Sequence, residues 1–227
     1  MKKGGRGMLA KDLLYLFEMC LDAPYLNVEG GGSFCLIREG ERLFVLFEKS
    51  NGLEDWENNL DFASQIHTDG EYVAPYSDME DKWYCHGGFL RVWKSILPYI
   101  RGALLDLSFK EIITVGYSHG AALALLCHEY IWYNRRDLRG RIFSFAFGCP
   151  RVIHGKVPRE RKRWDSFYVI RNIDDLVTHL PPSILGFRHV GRLIEIGKRG
   201  KYSRVDAHRQ ENYLRELEIL AQNEYIT

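Results

Sequence analysis

Residues 112–123 read IITVGYSHGAAL, and they carry the strongest structural signal in the chain. Its first four residues are β-branched and predict a buried strand, while its last residues open an apolar run to about Tyr133 that predicts a helix. Ser118 lies between them, with Gly116 and Gly120 two positions away on either side. Small residues at these positions permit a sharp turn that lifts a serine hydroxyl above the sheet edge. The stretch therefore predicts a nucleophilic serine at a helix N-terminus, where N–H groups face developing negative charge.

The rest of the chain alternates strand-like and helical segments. A hairpin is predicted from the apolar runs 34–38 and 43–47, and helices are predicted over 89–100 and around 209–221. Further strand-like runs lie at 142–147, 167–170 and 193–196. This alternation predicts one α/β domain over residues 1–227, with a mostly parallel central sheet, helices on both faces and an antiparallel hairpin at the N-terminal edge.

Composition narrows the class of protein. The 227 residues are 46% hydrophobic and 27% charged, which is typical of globular domains, and the net charge of +1 gives no general attraction to nucleic acid. We therefore expect no nucleic-acid partner, and the composition does not indicate an oligomeric state. The five cysteines have no CxxC spacing, which indicates buried free thiols in a reducing compartment rather than a disulfide framework or a metal site.

The N-terminal segment resembles a signal peptide only at first sight. Lys11, Asp12 and Glu18 interrupt its apolar residues, so an amphipathic helix is predicted instead. The longest apolar run elsewhere, residues 121–126, is far shorter than the roughly 20 residues that a membrane span needs. These features predict a cytoplasmic protein without a membrane span.

A nucleophilic serine needs a base, and the base needs an acid that orients it. In this type of turn the chain order is serine, acid, histidine. Asp174 and Asp175 follow the predicted strand 167–170 directly and are the candidate acids. By chain order, four histidines remain as candidate bases: His154, His179, His189 and His208.

Several motifs, taken in order, resemble those of the class 3 lipase family. They are HGGF at 86–89, the nucleophile turn at 113–124, FGCPRV at 147–152, DLV at 175–177 before LPP at 180–182, GFRHVG at 186–191, and His208 with Tyr213. The resemblance covers most of the chain, from about residue 34 to residue 213. It implies an α/β-hydrolase fold and hydrolysis of carboxylic esters through an acyl-enzyme.

The resemblance also assigns roles. It implies Ser118 as nucleophile, Asp175 as acid and His208 as base. The acid is Asp175 and not its neighbour Asp174 because the DxV motif begins at Asp175. It implies a structural role for His189, whose ring is expected to bond a backbone group.

An oxyanion hole requires two donors. The N–H of His119 is the first, and its side chain is expected to point away from the serine. Ser50 is the second, because residues 47–60 are similar to the family segment FRGT followed by DW and NL. Glu48 and Lys49 depart from that pattern, since they replace its Arg and Gly.

The expected substrate is a carboxylic ester with an acylglycerol-like or lysophospholipid-like structure. Residues 53–60 are strongly polar, and residues 61–85 could form either a cap or an ordinary surface loop. We therefore expect an enzyme that acts on soluble or micellar esters rather than one that is strongly activated at a lipid interface. The basic residues at 156–163 predict a solvated loop, with anionic phospholipid head groups or nucleic acid as the alternative contacts.

Two other functions use the same features. A hydrolase fold that has lost catalysis could serve as a binding or scaffold protein, and Glu48 with Lys49 would support that interpretation. Acyl transfer to an alcohol would use the same three side chains. The spacing indicates no metal, nucleotide or other cofactor.

Overall fold

The computed structural model describes residues 10–49, 84–155 and 161–223. The chain begins with helix α1 (Ala10–Asp22) and strands β1 (Leu26–Val28), β2 (Gly32–Glu39) and β3 (Arg42–Phe47). From residue 84 onward it continues through β4 (Tyr84–Cys85), α2 (Gly87–Ala103), β5 (Glu111–Tyr117), α3 (His119–Asn134), β6 (Ile142–Phe147) and β7 (Ile153–His154). The last elements are β8 (Phe167–Asn172), β9 (Phe187–Arg188), β10 (Arg192–Ile196) and α4 (Gln210–Gln222).

Within the described residues, seven strands form the main sheet in the order β1-β2-β3-β5-β6-β8-β10. The pairs β1/β2 and β2/β3 are antiparallel, and the remaining pairs are parallel, so the predicted edge hairpin and parallel centre are both present. The sequence did not predict β1 or a small antiparallel sheet of order β4-β7-β9. The strands of that small sheet have two residues each, which is too short to show a periodic pattern.

The main sheet is buried on both faces. Along β3, Leu43, Val45 and Phe47 enter the core with α2 and α3, while Phe44 and Leu46 enter the core with α1 and α4. Because successive side chains of a strand point to opposite faces, a strand buried on both sides is apolar at every position. The carboxyl ends of the parallel strands meet at one edge, where α/β sheets usually place their ligand sites.

A buried polar chain links α3 to the sheet. His128 contacts the Ser144 hydroxyl through Nδ1 at 2.7 Å and the Arg163 carbonyl through Nε2 at 2.5 Å, and the Thr114 hydroxyl donates to Ser144 at 2.6 Å. A carbonyl can only accept, so Nε2 carries the proton and Nδ1 accepts from Ser144. The neutral imidazole satisfies this arrangement, and burial lowers the pKa of His128 to about 4.

Stability is expected to fall as the pH falls from about 6.5 to about 4. The unfolded chain binds more protons there, because the pKa of His128 is near 6.5 when unfolded and about 4 when folded. This one histidine should cost about 2 kcal/mol of unfolding free energy between pH 6.5 and pH 5. Urea unfolding at pH 7 and pH 5 measures the loss, and His128→Gln should lose about 2 kcal/mol less than the unsubstituted chain. An equal loss in the two proteins would contradict the assignment.

The basic segment at 156–163 includes a side chain that is not solvated. Arg163 is fully buried, donates to Glu129 Oε1 at 2.8 Å, and lies over the rings of Tyr133 and Trp164. The expectation of a solvated basic run is therefore wrong for Arg163, because a buried carboxylate partners its guanidinium. Residues 156–160 lie outside the described part of the chain.

All five cysteines are buried free thiols, as the sequence predicted. Over residues 10–49, 84–155 and 161–223, no helix is long and apolar enough to cross a bilayer. The predicted cap segment, residues 61–85, lies outside the described residues except for its last two.

Candidate active site

The turn between β5 and α3 has an unusual backbone. Ser118 has φ +58° and ψ −119°, and it is the one non-glycine residue with positive φ in the described ranges. A Cβ at Gly116 would lie 2.1 Å from the Gly120 carbonyl oxygen, and a Cβ at Gly120 would lie 2.3 Å from the Phe47 carbonyl oxygen. Both glycines are therefore required by close backbone packing, which explains the spacing seen in the sequence.

The three side chains predicted to act together lie within hydrogen-bonding distance. His208 Nε2 lies 2.9 Å from Ser118 Oγ, and His208 Nδ1 lies 2.7 Å from Asp175 Oδ2. Asp175 follows β8, and His208 ends a short turn (Asp206–His208) after β10. Because the carboxylate accepts the Nδ1 proton, Nε2 is free to accept the serine proton. This arrangement can activate a hydroxyl as a nucleophile.

Asp175 is held by other donors. Its Oδ2 also accepts the Tyr213 hydroxyl at 2.6 Å, and its Oδ1 accepts the Val177 N–H at 2.8 Å. Burial and the adjacent carboxylate raise the pKa of Tyr213 well above its usual value, so this phenol remains a donor. The Tyr213 oxygen in turn accepts the Asn172 N–H at 3.0 Å. Tyr213 was noticed in the sequence as part of the family resemblance, but its partner could not be predicted.

Tyr117 holds the segment that carries His208. Its hydroxyl donates to the His208 carbonyl, and its ring stacks on the imidazole with a centroid distance of 5.3 Å. Asn172 donates to the preceding carbonyl, that of Ala207, at 3.0 Å. Sequence reasoning missed both residues, since an aromatic next to the serine and a strand-end asparagine have no pattern that indicates a remote partner.

The other candidate residues have different positions. Asp174 turns away and accepts the Gly200 N–H. His189 Nε2 contacts the Thr178 carbonyl at 2.7 Å, which confirms the expected bond to a backbone group. His179 is half-buried, and burial with nearby arginines lowers its pKa. His154 packs against the Phe187 ring at 4.9 Å.

Of the two expected oxyanion donors, His119 lies within the described residues and Ser50 does not. The N–H of His119 is the first of α3, where helical N–H groups have no partner within the helix. Its imidazole packs against Phe89 at 5.4 Å, and burial lowers its pKa to about 4. Ser50 lies outside the described residues. In the described part of the chain, no three His, Cys, Asp or Glu side chains are grouped so that they could hold a metal ion.

Gly148 allows Asp175 and His208 to approach each other. Its φ is +57°, and a Cβ there would lie 2.9 Å from His208 Cε1 and 3.3 Å from Asp175 Oδ2. With the roles that the family resemblance implies for Asp175 and His208, Gly148→Ala should reduce kcat for p-nitrophenyl butyrate by about 100-fold, because displacements near one ångström have effects of that size. Gly40→Ala is the matched control, since Gly40 has φ +60° and nothing within 4 Å of the added atom. Equal kcat losses in the two variants would attribute the effect to backbone strain alone.

Sequence relatives include fungal lipases. The lipase of Rhizomucor miehei is 26% identical over 164 residues, covering 66% of this chain and 40% of that protein. A secreted mono- and diacylglycerol lipase of Fusarium solani is 26% identical over 156 residues, covering 66% and 42%, and one from Malassezia restricta is 38% identical over 82 residues, covering 35% and 27%. The chain thus spans about two fifths of the length of the first two.

The names of these relatives overturn the expected cytoplasmic location. The Fusarium solani and Malassezia restricta proteins are both named as secreted. The cytoplasmic expectation rested on cysteine spacing and on charges near the N-terminus, and it is wrong. Buried thiols do not identify a compartment, because burial protects a thiol from oxidants wherever the protein is located.

Solved structures show the same fold. The Rhizomucor miehei lipase–propeptide complex aligns with a TM-score of 0.64 at 17% identity, covering 91% of this chain and 78% of that one. A fungal lipase–inhibitor complex aligns with a TM-score of 0.63 at 17% identity, covering 88% and 92%. At these identities the likeness concerns the fold alone, and it confirms the predicted α/β-hydrolase fold.

The sequence model of the class 3 lipases matches residues 44–184, which is more than half of the chain. The matched range includes Ser118 and Asp175 with the turns that position them. The chain therefore belongs to the class 3 lipase family.

Proposed function

We propose that this chain is a serine hydrolase that cleaves carboxylic esters, with Ser118 as nucleophile, His208 as general base and Asp175 as the acid that orients it. The single observation that carries the proposal is the continuous hydrogen-bond chain from the Ser118 hydroxyl through both ring nitrogens of His208 to Asp175. We further propose that it acts as one domain.

In the proposed reaction, Ser118 Oγ attacks the ester carbonyl carbon while its proton passes to His208 Nε2. The tetrahedral oxyanion is stabilised by the N–H of His119 and by a second donor assigned to Ser50. The C–O bond to the alcohol then breaks, and the alcohol leaves with the proton from His208. Water adds to the acyl-enzyme by the same route, which releases the carboxylic acid and restores the serine.

The proposed substrates are acylglycerols or lysophospholipid-like esters. Support comes from the relatives named as mono- and diacylglycerol lipases, and these names also support action outside the cell. We propose that soluble or micellar esters are hydrolysed without strong activation at an interface. A sharp rise of activity at the critical micelle concentration of the substrate would contradict that preference.

Labelling with a fluorophosphonate probe, followed by peptide mapping, tests the proposal. We expect one adduct on Ser118, together with hydrolysis across a chain-length series of p-nitrophenyl esters. A folded protein that neither reacts with the probe nor hydrolyses any ester would favour the binding or scaffold alternative. Product analysis with added alcohol distinguishes hydrolysis from acyl transfer.

A further inference from the structure

Lys49 stands where the family segment has glycine, so this chain has a long cationic side chain at the end of β3. Its backbone neighbour is firmly placed: the Glu48 N–H donates to the Ser33 carbonyl at 3.2 Å. The carbonyls of Phe47 and Glu48 pack directly against Gly120 in the turn that carries Ser118. The backbone at Lys49 is therefore attached to the sheet beside Ser118, the proposed nucleophile.

The other end of the side chain reaches α4. Lys49 Nζ donates to Gln210 Oε1 at 2.6 Å, and both residues are half-buried. Gln210 is the first residue of α4 and lies two positions after His208. Hydrogen bonds from a charged donor are stronger than those between neutral groups, and partial burial reduces competition from water. The bond thus joins the chain that follows β3, next to Ser118, to the segment that carries His208, the proposed base.

The segment before α4 is held by bonds to other elements, and the Arg204 carbonyl, for example, accepts the Leu176 N–H at 3.0 Å. Arg204 and Val205 are exposed, and the turn that ends at His208 has only three residues. Tyr117 on β5 and Asn172 on β8 hold the carbonyls of His208 and Ala207. Lys49, two residues after β3, holds the chain at Gln210, which follows His208 in the sequence.

We infer that Lys49 and Gln210 form a positioning pair that keeps the His208 imidazole within reach of the Ser118 hydroxyl. Neither residue takes part in proton transfer; both act through the placement of His208. The inference rests on the proposed function, because placement of the imidazole affects a rate only if His208 serves as the base. It assigns a role to a residue that the sequence showed only as a departure from the family pattern.

The test uses Lys49→Met, Gln210→Leu and the double variant of the full chain. Each single variant should lower kcat for p-nitrophenyl butyrate by about 10-fold, with KM changed less than about 2-fold, because substrate contacts remain while the base is displaced. The rate of fluorophosphonate labelling should fall by the same factor. The double variant should be no slower than either single variant, since both remove one bond.

Conservative variants and a matched control separate positioning from stability. Lys49→Arg keeps a donor and Gln210→Glu keeps an acceptor, so both should retain kcat to within about 3-fold. Lys110→Met removes an exposed lysine at the opposite end of β5 and should leave kcat and labelling unchanged. If Lys49→Met does not fold, Gln210→Leu at the helix start provides the same test.

Several results would overturn the inference. Unchanged kcat, a lower melting temperature without loss of kcat, a rise in KM alone, or additive losses in the double variant would each show that the pair does not position the base. An unsubstituted protein that fails to react with the probe and with every ester would instead overturn the proposed function.

Discussion

Ser118→Ala is expected to lower kcat/KM for p-nitrophenyl esters by about 10⁵-fold and to abolish fluorophosphonate labelling. The hydroxyl lies 2.9 Å from His208 Nε2 and is the proposed nucleophile, so its removal prevents formation of the acyl-enzyme. The Cβ remains, so the turn between β5 and α3 should keep its conformation. Steady-state kinetics and intact-protein mass spectrometry measure the two effects.

Ser118→Gly is the informative companion variant. It should be equally inactive but more stable than Ser118→Ala by about 1 kcal/mol, because glycine adopts positive φ without steric cost. The native φ of +58° is therefore a strain retained to present the hydroxyl. Equal stability of the two variants would show that the turn is not strained, and residual activity above about 1% would indicate a different nucleophile.

Asp175→Asn is expected to lower kcat by about 10⁴-fold. Asp175 Oδ2 accepts from both His208 and Tyr213, while Oδ1 accepts from the Val177 N–H. An asparagine can keep its oxygen toward His208 only by turning its NH₂ group against the Val177 N–H. In the flipped orientation the NH₂ group faces Nδ1 and moves the imidazole proton to Nε2, where it blocks transfer from Ser118.

The neighbouring residue provides a control for that variant. Asp174 accepts the Gly200 N–H, whereas Asp175 is the carboxylate bonded to His208, so Asp174→Asn should retain kcat to within about 3-fold. Both variants remove one carboxylate from the same loop, and kcat with the rate of probe labelling compares them directly. A larger loss for Asp174→Asn would assign the acid to that residue and contradict the proposed roles.

Some features could be predicted because their signals are local. The turn at Ser118 is recognisable from two glycines, a β-branched run and an apolar helix. The hairpin and the parallel strands are recognisable because β3, β5 and β6 are buried on both faces and therefore consecutively apolar. Errors of a few residues at element ends reflect terminal residues whose periodicity is weak.

Other features depend on partners that are distant along the chain. Gly148 belongs to a recognised motif, but glycine is needed there because the His208 ring, 60 residues later in the chain, leaves no room for a Cβ. Arg163 appeared as one charge in a basic run, and only the packing of α3 shows that Glu129 pairs with it. No local pattern specifies such contacts, because each depends on where a later segment returns to the sheet.

Local sequence patterns predict the type of fold, the turn that carries Ser118 and the order of the candidate acid and base, because strand burial and turn geometry depend on neighbouring residues. Chain order alone left four histidines as possible bases, and the family resemblance selected one of them. The folded chain alone shows that His208 meets Ser118 and Asp175, that Tyr117 and Tyr213 contact these residues, and that Lys49 reaches Gln210. These contacts join residues up to 161 positions apart, so they depend on how the sheet brings distant segments together and not on the sequence between them.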